Sequence, residues 1–476
     1  MYTGVTYQDW VSTPEAERTQ LLQAIIAGYK QTKEFRHALE AYQYFIGENP
    51  AIKAKYIQKY GLSEVWTTDD QGMNTTRRLA NPLEPIKGAQ VPSNFLFRFI
   101  TQQNQFLLAN GLTLDSEEAK AKLGMGFDKT LENMGEKALI HGVCWGYWNL
   151  DHLEIIEAAR DDGSGFVALV DEETSTPMVG IQFWRIDSAR PMYVRLFEVD
   201  GVTVYKEQDG RLIVTQEKRA YAVRVARDAV GETIIGGDNY TRLPVLPLYA
   251  NAEMRSEMSD AIKAKIDAYD RIASDFVDNL DKANDVYWVL NNYGGSLRDM
   301  MDTINTMERL KLIANRTDGM GGSSSAEPHA FEVPYNARQT AMDLLEKALY
   351  QDYMAMSMDE LTGGSLTNVA IQASMTNLNL KCDRYEWQVF RFVQRLLDLI
   401  GIQTEEIRFH RQEFLNRSEI IQDIVAMRSD IDHETALKLN PYIMPEEIER
   451  IVQNVAAEQL TGMPSIEQLE QSLQEE

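Results

Sequence analysis

The chain has 476 residues, of which 44% are hydrophobic and 25% charged, the balance of a folded protein, and its length suggests roughly two to four domains. Against 72 acidic residues stand 47 basic ones, a net charge of −25, which argues against a broad surface that grips phosphates by releasing counterions. Apolar runs such as Val143–Trp145 and Phe95–Phe97 fall far short of the roughly 20 residues needed to cross a bilayer, and the first residues lack the basic and apolar regions of a secretory signal, so neither membrane insertion nor export is expected.

The first helix signal lies at Ser12, Thr13 and Pro14 ahead of Glu15, where a hydroxyl would cap the helix and proline would open its first turn. Leu21, Leu22, Ile25, Ile26 and Tyr29 then recur at helical spacing. A second helix is expected from Lys33 to Phe45, closed by Gly47 and by Asn49-Pro50. From Pro82 to Gly111 the chain reads as an extended lead-in followed by a helix, with Asn94 as its cap and Phe95, Phe99, Phe106 and Leu107 among its apolar positions. Another helix spans Phe127 to His141, and the aromatic run Gly142 to Leu150 after it is strand-like. Between Phe166 and Tyr240 the pattern changes to alternating runs such as Tyr193–Val199, Val202–Lys206, Leu212–Gln216 and Tyr221–Val225, separated by turns at Asp200-Gly201 and Asp209-Gly210. That is the signature of an antiparallel β module.

At Leu243 the β pattern gives way to LPVLPLYAN and then to a long helix, on which Ile262, Ile266, Tyr269, Ala273, Phe276 and Leu280 recur at spacings of 4, 3, 4, 3 and 4. Its other face carries Asp260, Asp267, Asp270, Asp275, Asp278, Asp281 and Asp285 with Lys263, Lys265, Arg271 and Lys282, the composition of a solvated face. A small insert follows: a strand at Val286–Leu290, a helix at Leu297–Met307, a strand at Lys311–Ala314 and a flexible stretch at Gly319–Ser325. Ala337 to Met356 is helical, with Met342, Leu345, Leu349 and Tyr353 on one face, and it ends in the turn-rich DELTGGSLTN, Asp359 to Asn368.

A longer helix is expected from Asn368 to Ile400. Its apolar seam, Ile371, Met375, Leu378, Cys382, Tyr385, Val389, Phe392, Leu396 and Leu399, would run roughly 50 Å at about 1.5 Å per residue. The region from Arg417 to Glu476 holds three or four helices with start signals at Ser418, Asp432 and Pro445, and it carries 13 acidic residues against 4 basic ones.

The sequence does not demand catalysis. Cys144 and Cys382 lie far apart without CxxC spacing and read as reduced core thiols, and the six histidines form no HExxH or HxH pattern. Gly319–Ser325 leads into AEPHAFEV without the lysine or the helix of a phosphate loop, and no GxSxG elbow occurs. The carboxylates Asp171, Glu172 and Glu173 lie between β segments; they read as a solvated hairpin tip, with a divalent cation site as the alternative. No cofactor, resident metal or enzymatic activity is expected.

Several segments carry a resemblance to a known family. ALEAYQYFIGENPAI, Ala38 to Ile52, is similar to a Tyr-Tyr-x-Gly-x-Asn-x-x-Ile segment, met here by Tyr44, Phe45, Gly47, Asn49 and Ile52. LPVLPLYANAEMRSEM with IDAYDRIASDFVDNL, Leu243 to Leu280, resembles a proline-rich lead-in and first stem helix. MDELTGGSLTNVAIQA resembles a tunnel loop and the start of a long helix, although Asn368 stands where that motif has glycine and the leading asparagine is missing. IDHETALKLNPYIMPEEIERI, Ile431 to Ile451, resembles a crown segment Ser-x-Glu-Thr-Ala-x-x-x-x-Pro, with Asp432 in the serine position and Pro441 retained. Together these look like the portal proteins of tailed bacteriophages, in the branch typical of phages of Gram-positive hosts.

The resemblance implies an α+β portal fold with a mostly helical wing, stem and crown, a β-rich wing module and a small α/β clip. Carried over by segment, residues 1–256 would be the wing with its β module at 166–241, and 257–285 the first stem helix. The clip would be 286–335, the second stem helix 336–356, the tunnel loop 357–368, the long wing helix 369–400 and the crown 417–476.

It also implies a ring of about twelve subunits at a capsid vertex, assembled in the host cytoplasm, through which double-stranded DNA passes without sequence specificity. The terminase large subunit, head-completion (adaptor) proteins, the major capsid protein and the scaffold would be partners. In that layout Asp359, Glu360, Leu361, Thr362, Gly363, Gly364, Ser365, Leu366, Thr367 and Asn368 line the tunnel. Asp260, Lys263, Asp267, Asp270, Arg271, Asp275 and Asp278 face the channel, and Arg298, Arg309, Lys311 and Arg316 of the clip meet partners. A net acidic wall would repel phosphates weakly from all sides and let the duplex slide. Two other readings are another phage head or tail structural protein, and a metal-dependent nuclease or other virion hydrolase, which would need carboxylates or histidines converging in a pocket.

Overall fold

The computed structural model describes residues 4–53, 65–68, 74–77, 88–187, 189–228, 231–283, 286–291, 325–330, 335–357, 368–404, 406–412, 417–427, 432–440, 448 and 450–452. The chain opens with α1 (Tyr7–Ser12), α2 (Glu15–Gln31) and α3 (Lys33–Phe45). Ser12 and Thr13 do not cap α2 as expected: both hydroxyls donate to the Asp9 carbonyl, at 3.1 and 2.7 Å, and so close α1. Six residues are too few to show a helical period, and α1 is announced only by its capping box, in which Thr6 and Asp9 each accept the other's backbone N–H. α3 has the expected bounds, and Gly47 after it takes φ +77°, open to glycine at little cost.

A hairpin of β1 (Val65–Thr68) and β2 (Asn74–Arg77) precedes α4 (Phe95–Leu108). Asn94 stands at the N-cap position of α4, but its side chain makes no cap bond. β3 (Leu112–Leu114), α5 (Glu117–Lys122) and α6 (Phe127–His141) follow, α6 again with the expected bounds. Gly142 closes α6 at φ +89°, where a Cβ would lie 2.8 Å from the backbone of Met254, Arg255 and Ser256.

Three strands form a buried sheet in the order β13-β4-β5, from β4 (Val143–Asn149), β5 (His152–Glu157) and β13 (Val245–Tyr249). The β pattern therefore does not stop at Leu243: Val245 pairs with Tyr147 and Tyr249 with Val143. Pro247 is tolerated because β13 is an edge strand. A five-stranded antiparallel meander, β10-β9-β8-β7-β6, is built from β6 (Gly165–Val170), β7 (Pro177–Trp184), β8 (Tyr193–Glu198), β9 (Gly201–Gln208) and β10 (Arg211–Arg219). β11 (Ala222–Asp228) and β12 (Gly231–Asp238) make a separate hairpin.

Strand alternation sorts the cores. On β6, Val167 and Leu169 face Leu22, Ile25, Ile26 and Tyr29 of α2, while Phe166 and Ala168 face the three-stranded sheet. On β4, Val143, Trp145 and Tyr147 meet that same layer, while Cys144 and Trp148 join a third core with α3, α4, α6 and the later long helices. The layers are thus helices, meander, small sheet and helices, with β4 buried on both faces.

The long helices are α7 (Asp260–Ala283), α8 (Tyr335–Tyr353) and α9 (Asn368–Ile400), with β14 (Val286–Asn291) paired to β15 (Ser325–Ala330) between the first two. Gly319–Ser324, the expected helix Leu297–Met307 and the expected strand Lys311–Ala314 lie outside the described residues. β16 (Ile407–Phe409) pairs with β3, and α10 (Arg417–Ala426) and α11 (His433–Leu439) follow. Asp432 caps α11 as expected, its carboxylate accepting from the Thr435 N–H at 3.1 Å. On α9 the expected seam is buried from Met375 to Leu399.

Candidate functional site

The candidate site is built from three helices and the joints between them. α7 and α8 lie against each other: Phe276 meets Tyr335 with ring centroids 5.5 Å apart, Lys265 pairs with Asp352, and Arg338 donates to the Asp275 carbonyl at 3.1 Å. Aromatic side chains of α4 cement their near end. Phe95 packs edge-on to Tyr269 at 5.0 Å, and Phe99 stacks on Tyr353 at 4.6 Å.

One face of α7 holds the segment before α4 as a strap. Backbone N–H groups of Ser93, Val91 and Ala89 donate to Asp270 Oδ1, Ser274 Oγ and Asp278 Oδ1 at 3.0, 3.1 and 2.7 Å. Four residues of helix rise about 6.0 Å and two residues of extended chain about 6.6 Å, so every second amide of the strap meets every fourth residue of the helix. Asn49 Nδ2 donates to Asp270 Oδ2 at 2.8 Å, and the Tyr44 hydroxyl donates to Asp267. Burial raises the Asp270 carboxyl above its ordinary pKa, against the opposing pull of the Asn49 and Ser93 bonds.

These bonds draw on residues of the expected channel face. Asp267 and Asp270 are buried within the chain, because their carboxylates supply the acceptors that the strap and the end of α3 need. Lys263 is half-buried and pairs with Glu40, Asp275 is half-buried, and Asp278 is half-buried under Ala89. Asp260 and Arg271 are exposed. Of the expected tunnel residues, Asp359 to Thr367 lie outside the described residues and Asn368 begins α9. Arg298, Arg309, Lys311 and Arg316 also lie outside them.

The two joints flanking residues 358–367 are pinned. Gln102 of α4 donates to the Met356 carbonyl at 3.1 Å and accepts its N–H at 3.0 Å. Met356, Met375, Leu378 and Cys382 share one buried cluster with Phe106. Lys381 reaches back to donate to the Tyr353 carbonyl at 2.9 Å, lies over the Tyr353 ring and pairs with Glu257 at 2.8 Å. Burial lowers the pKa of that ammonium and Glu257 opposes the shift. Gln102, Lys381 and Glu257 were not legible as joint residues, since each sits in a pattern where a polar side chain reads as solvated.

Asp171 accepts the N–H groups of Glu173 and Thr174 at 3.1 and 2.9 Å, ordering the turn between β6 and β7 at the surface. Among the described residues no group of three or more His, Cys, Asp or Glu is placed to hold a metal ion, and Cys144 and Cys382 are buried free thiols.

Comparison with known proteins gives this arrangement a family. The family model described as phage portal protein, SPP1 Gp6-like, matches residues 28–459. A portal protein of Clostridium phage phiCD119 is 22% identical over 344 residues, which cover 69% of this chain and 74% of that protein. The portal protein of Bacillus phage SPP1 is 26% identical over 224 residues, 43% of each chain. With a match that takes in α3, the β module and all the long helices, the chain belongs to the SPP1 Gp6-like family of phage portal proteins.

Proposed function

We propose that this chain is the repeating subunit of a closed ring at one capsid vertex, through which double-stranded DNA enters during packaging and leaves during ejection. The observation that carries the reading is the extent of the family match, residues 28–459. The paired helices α7 and α8, joined to a long helix by two pinned joints, support it: a channel wall must stay rigid while a polymer moves past it. Wing, stem, clip and crown keep the bounds expected from the sequence as part of this proposal. Asp260, Arg271 and Asp275 take the channel side of the stem, Asp267 being taken up by Tyr44 of α3 and Asp270 by the strap. The segment Asp359–Asn368 narrows the bore, and Arg298, Arg309, Lys311 and Arg316 of the clip meet the terminase and later the head-completion proteins. Capsid protein and scaffold contact the outside of the ring during assembly in the host cytoplasm. Among the described residues no helix is long and apolar enough to cross a membrane.

Electron microscopy and native mass measurement of the purified protein test the reading. Rings of about twelve subunits with a central hole are expected; monomers or dimers at every protein and salt concentration would refute it. Within the ring, replacing Asp359 and Glu360 together by Lys should leave assembly intact and stall packaging, since a circle of new cations would hold passing phosphates. Normal packaging by that variant at low salt would remove residues 359–360 from the channel.

A further inference from the structure

The helix α9 carries a second stripe that the fold leaves uncovered. Its core seam from Met375 to Leu399 is buried, yet on the opposite side Leu380 is 54% exposed and Trp387 57%. Trp10, Trp145 and Trp148 are buried. Trp387 lies parallel to Phe390, ring centroids 5.6 Å apart and planes 11° apart, so the indole is held flat on its neighbour and presents a rigid face. Arg384 and Arg391, both exposed, alternate with these residues at spacings of 4, 3 and 4, making one stripe about 16 Å long. A helix apolar on both sides is shaped to be covered on both.

The charge of the stripe is also left over. Arg411 takes both carboxylates of this stretch, Asp383 at 2.6 Å and Glu386 with Nε at 3.0 Å. Arg384, Arg391 and the neighbouring Arg395 have no ion pair among the described residues. They are arginines without a carboxylate partner among those residues, in a molecule whose net charge is −25.

We infer that the stripe Leu380–Arg384–Trp387–Arg391 is a contact between neighbouring copies of this chain, one side of the subunit interface of the ring; the inference rests on the portal reading. A ring is closed by head-to-tail contacts, so each subunit must show two different, complementary faces. An exposed indole flanked by arginines is the composition enriched at the centres of protein interfaces, and the acidic excess of the same chain supplies the complement in charge. A DNA duplex fits less well, because a few arginines on a molecule of this charge make a weak phosphate footprint and a helix that gripped DNA would oppose its passage.

The test uses the full chain, as wild type, Trp387→Ala and the double variant Arg384→Glu/Arg391→Glu, followed by native mass measurement across a dilution series and by thermal unfolding of the dilute protein. Both variants should unfold like wild type and need about thirtyfold more protein to form rings, the loss expected when an interface hot spot is truncated. Rings forming at wild-type concentrations in both variants would overturn the inference, whether or not DNA or adaptor binding is then impaired. A wild type that never forms rings would take the portal reading down with it. For a readout without substitution, oxidative footprinting of wild type should show Trp387 protected several-fold in rings relative to dilute subunits; equal oxidation in both would equally overturn the assignment.

Discussion

On α7 and on α9 a second segment of the chain lies along one helical face, but the two seams are made by opposite means. The α7 seam is polar: Asp270, Ser274 and Asp278 each take one backbone N–H of the strap, with Asp267 taking Tyr44. The α9 seam is apolar, with Tyr385, Val389, Phe392 and Leu396 each no more than 1% exposed. Apolar burial is non-directional and scales with area, so α9 contributes stability to the core around β4 and α6. Hydrogen bonds are directional and each contributes little net free energy, so the α7 seam contributes register. A strap slipped by one residue would turn its N–H groups away from all three acceptors at once. The comparison separates what holds the core of this chain from what fixes where α7 sits against it.

The sharpest way to break that comparison is to truncate one residue of each seam. Phe392→Ala should cost about 3–5 kcal/mol, since the ring fills the space over Gly146, where even a Cβ would come within 2.9 Å of it. Denaturant unfolding of the subunit measures this; a loss below about 1 kcal/mol would mean that the seam repacks. Asp270→Ala should cost less, about 2 kcal/mol, because it leaves the Asn49 amide and the Ser93 N–H without their acceptor while relieving a buried charge. Its other signature is local: proteolysis near residues 88–94 should quicken, as it should not in Phe392→Ala at equal global stability.

A third effect is a pH dependence confined to the polar seam. Burial raises the Asp270 carboxyl above its ordinary value of 3.8, so the folded chain holds that proton to a higher pH than the unfolded chain does. Its contribution to stability is therefore full below 3.8 and declines as pH rises from there to the native value. Asp270→Asn, which cannot ionise, should lose this decline. The stability difference between wild type and that variant should move against wild type on going from about pH 4 to 7; a constant difference would show that the carboxyl titrates alike in both states.

How much of this was legible in the sequence follows from the same contrast. Apolar periodicity announces a seam, and the helices Lys33–Phe45, Phe127–His141 and Asn368–Ile400 have the bounds their patterns suggest. A polar seam announces the opposite: Asp267 and Asp270 lie on a face that reads as solvated, because nothing local says that a strap some 180 residues away in sequence, Ser93 to Asp270, supplies donors. Strand β13 was hidden for a related reason: Pro247 within it and Pro244 just before it read as breakers and mask a short apolar strand. The role proposed for the long helices rests on resemblance, since no catalytic motif marks them in the sequence.

The smallest effect tests whether the strap bonds act singly or together. Ser274 is fully buried; its hydroxyl donates to the Asp270 carbonyl at 2.7 Å and accepts the Val91 N–H at 3.1 Å. Ser274→Ala removes one acceptor, but Val91 is 39% exposed, so its N–H can turn partly to water, and alanine is the better helix former by a few tenths of a kcal/mol. The global loss should therefore be about 0.5 kcal/mol or less. Amide hydrogen exchange carries more information. The Val91 amide should exchange faster in the variant while Ala89 and Ser93 stay as protected as in wild type, because the charged acceptors Asp278 and Asp270 on either side make the stronger bonds. Faster exchange at all three would mean that the strap lifts as one unit and that the middle bond sets its register; unchanged exchange at Val91 would mean that Ser274 does not hold it at all.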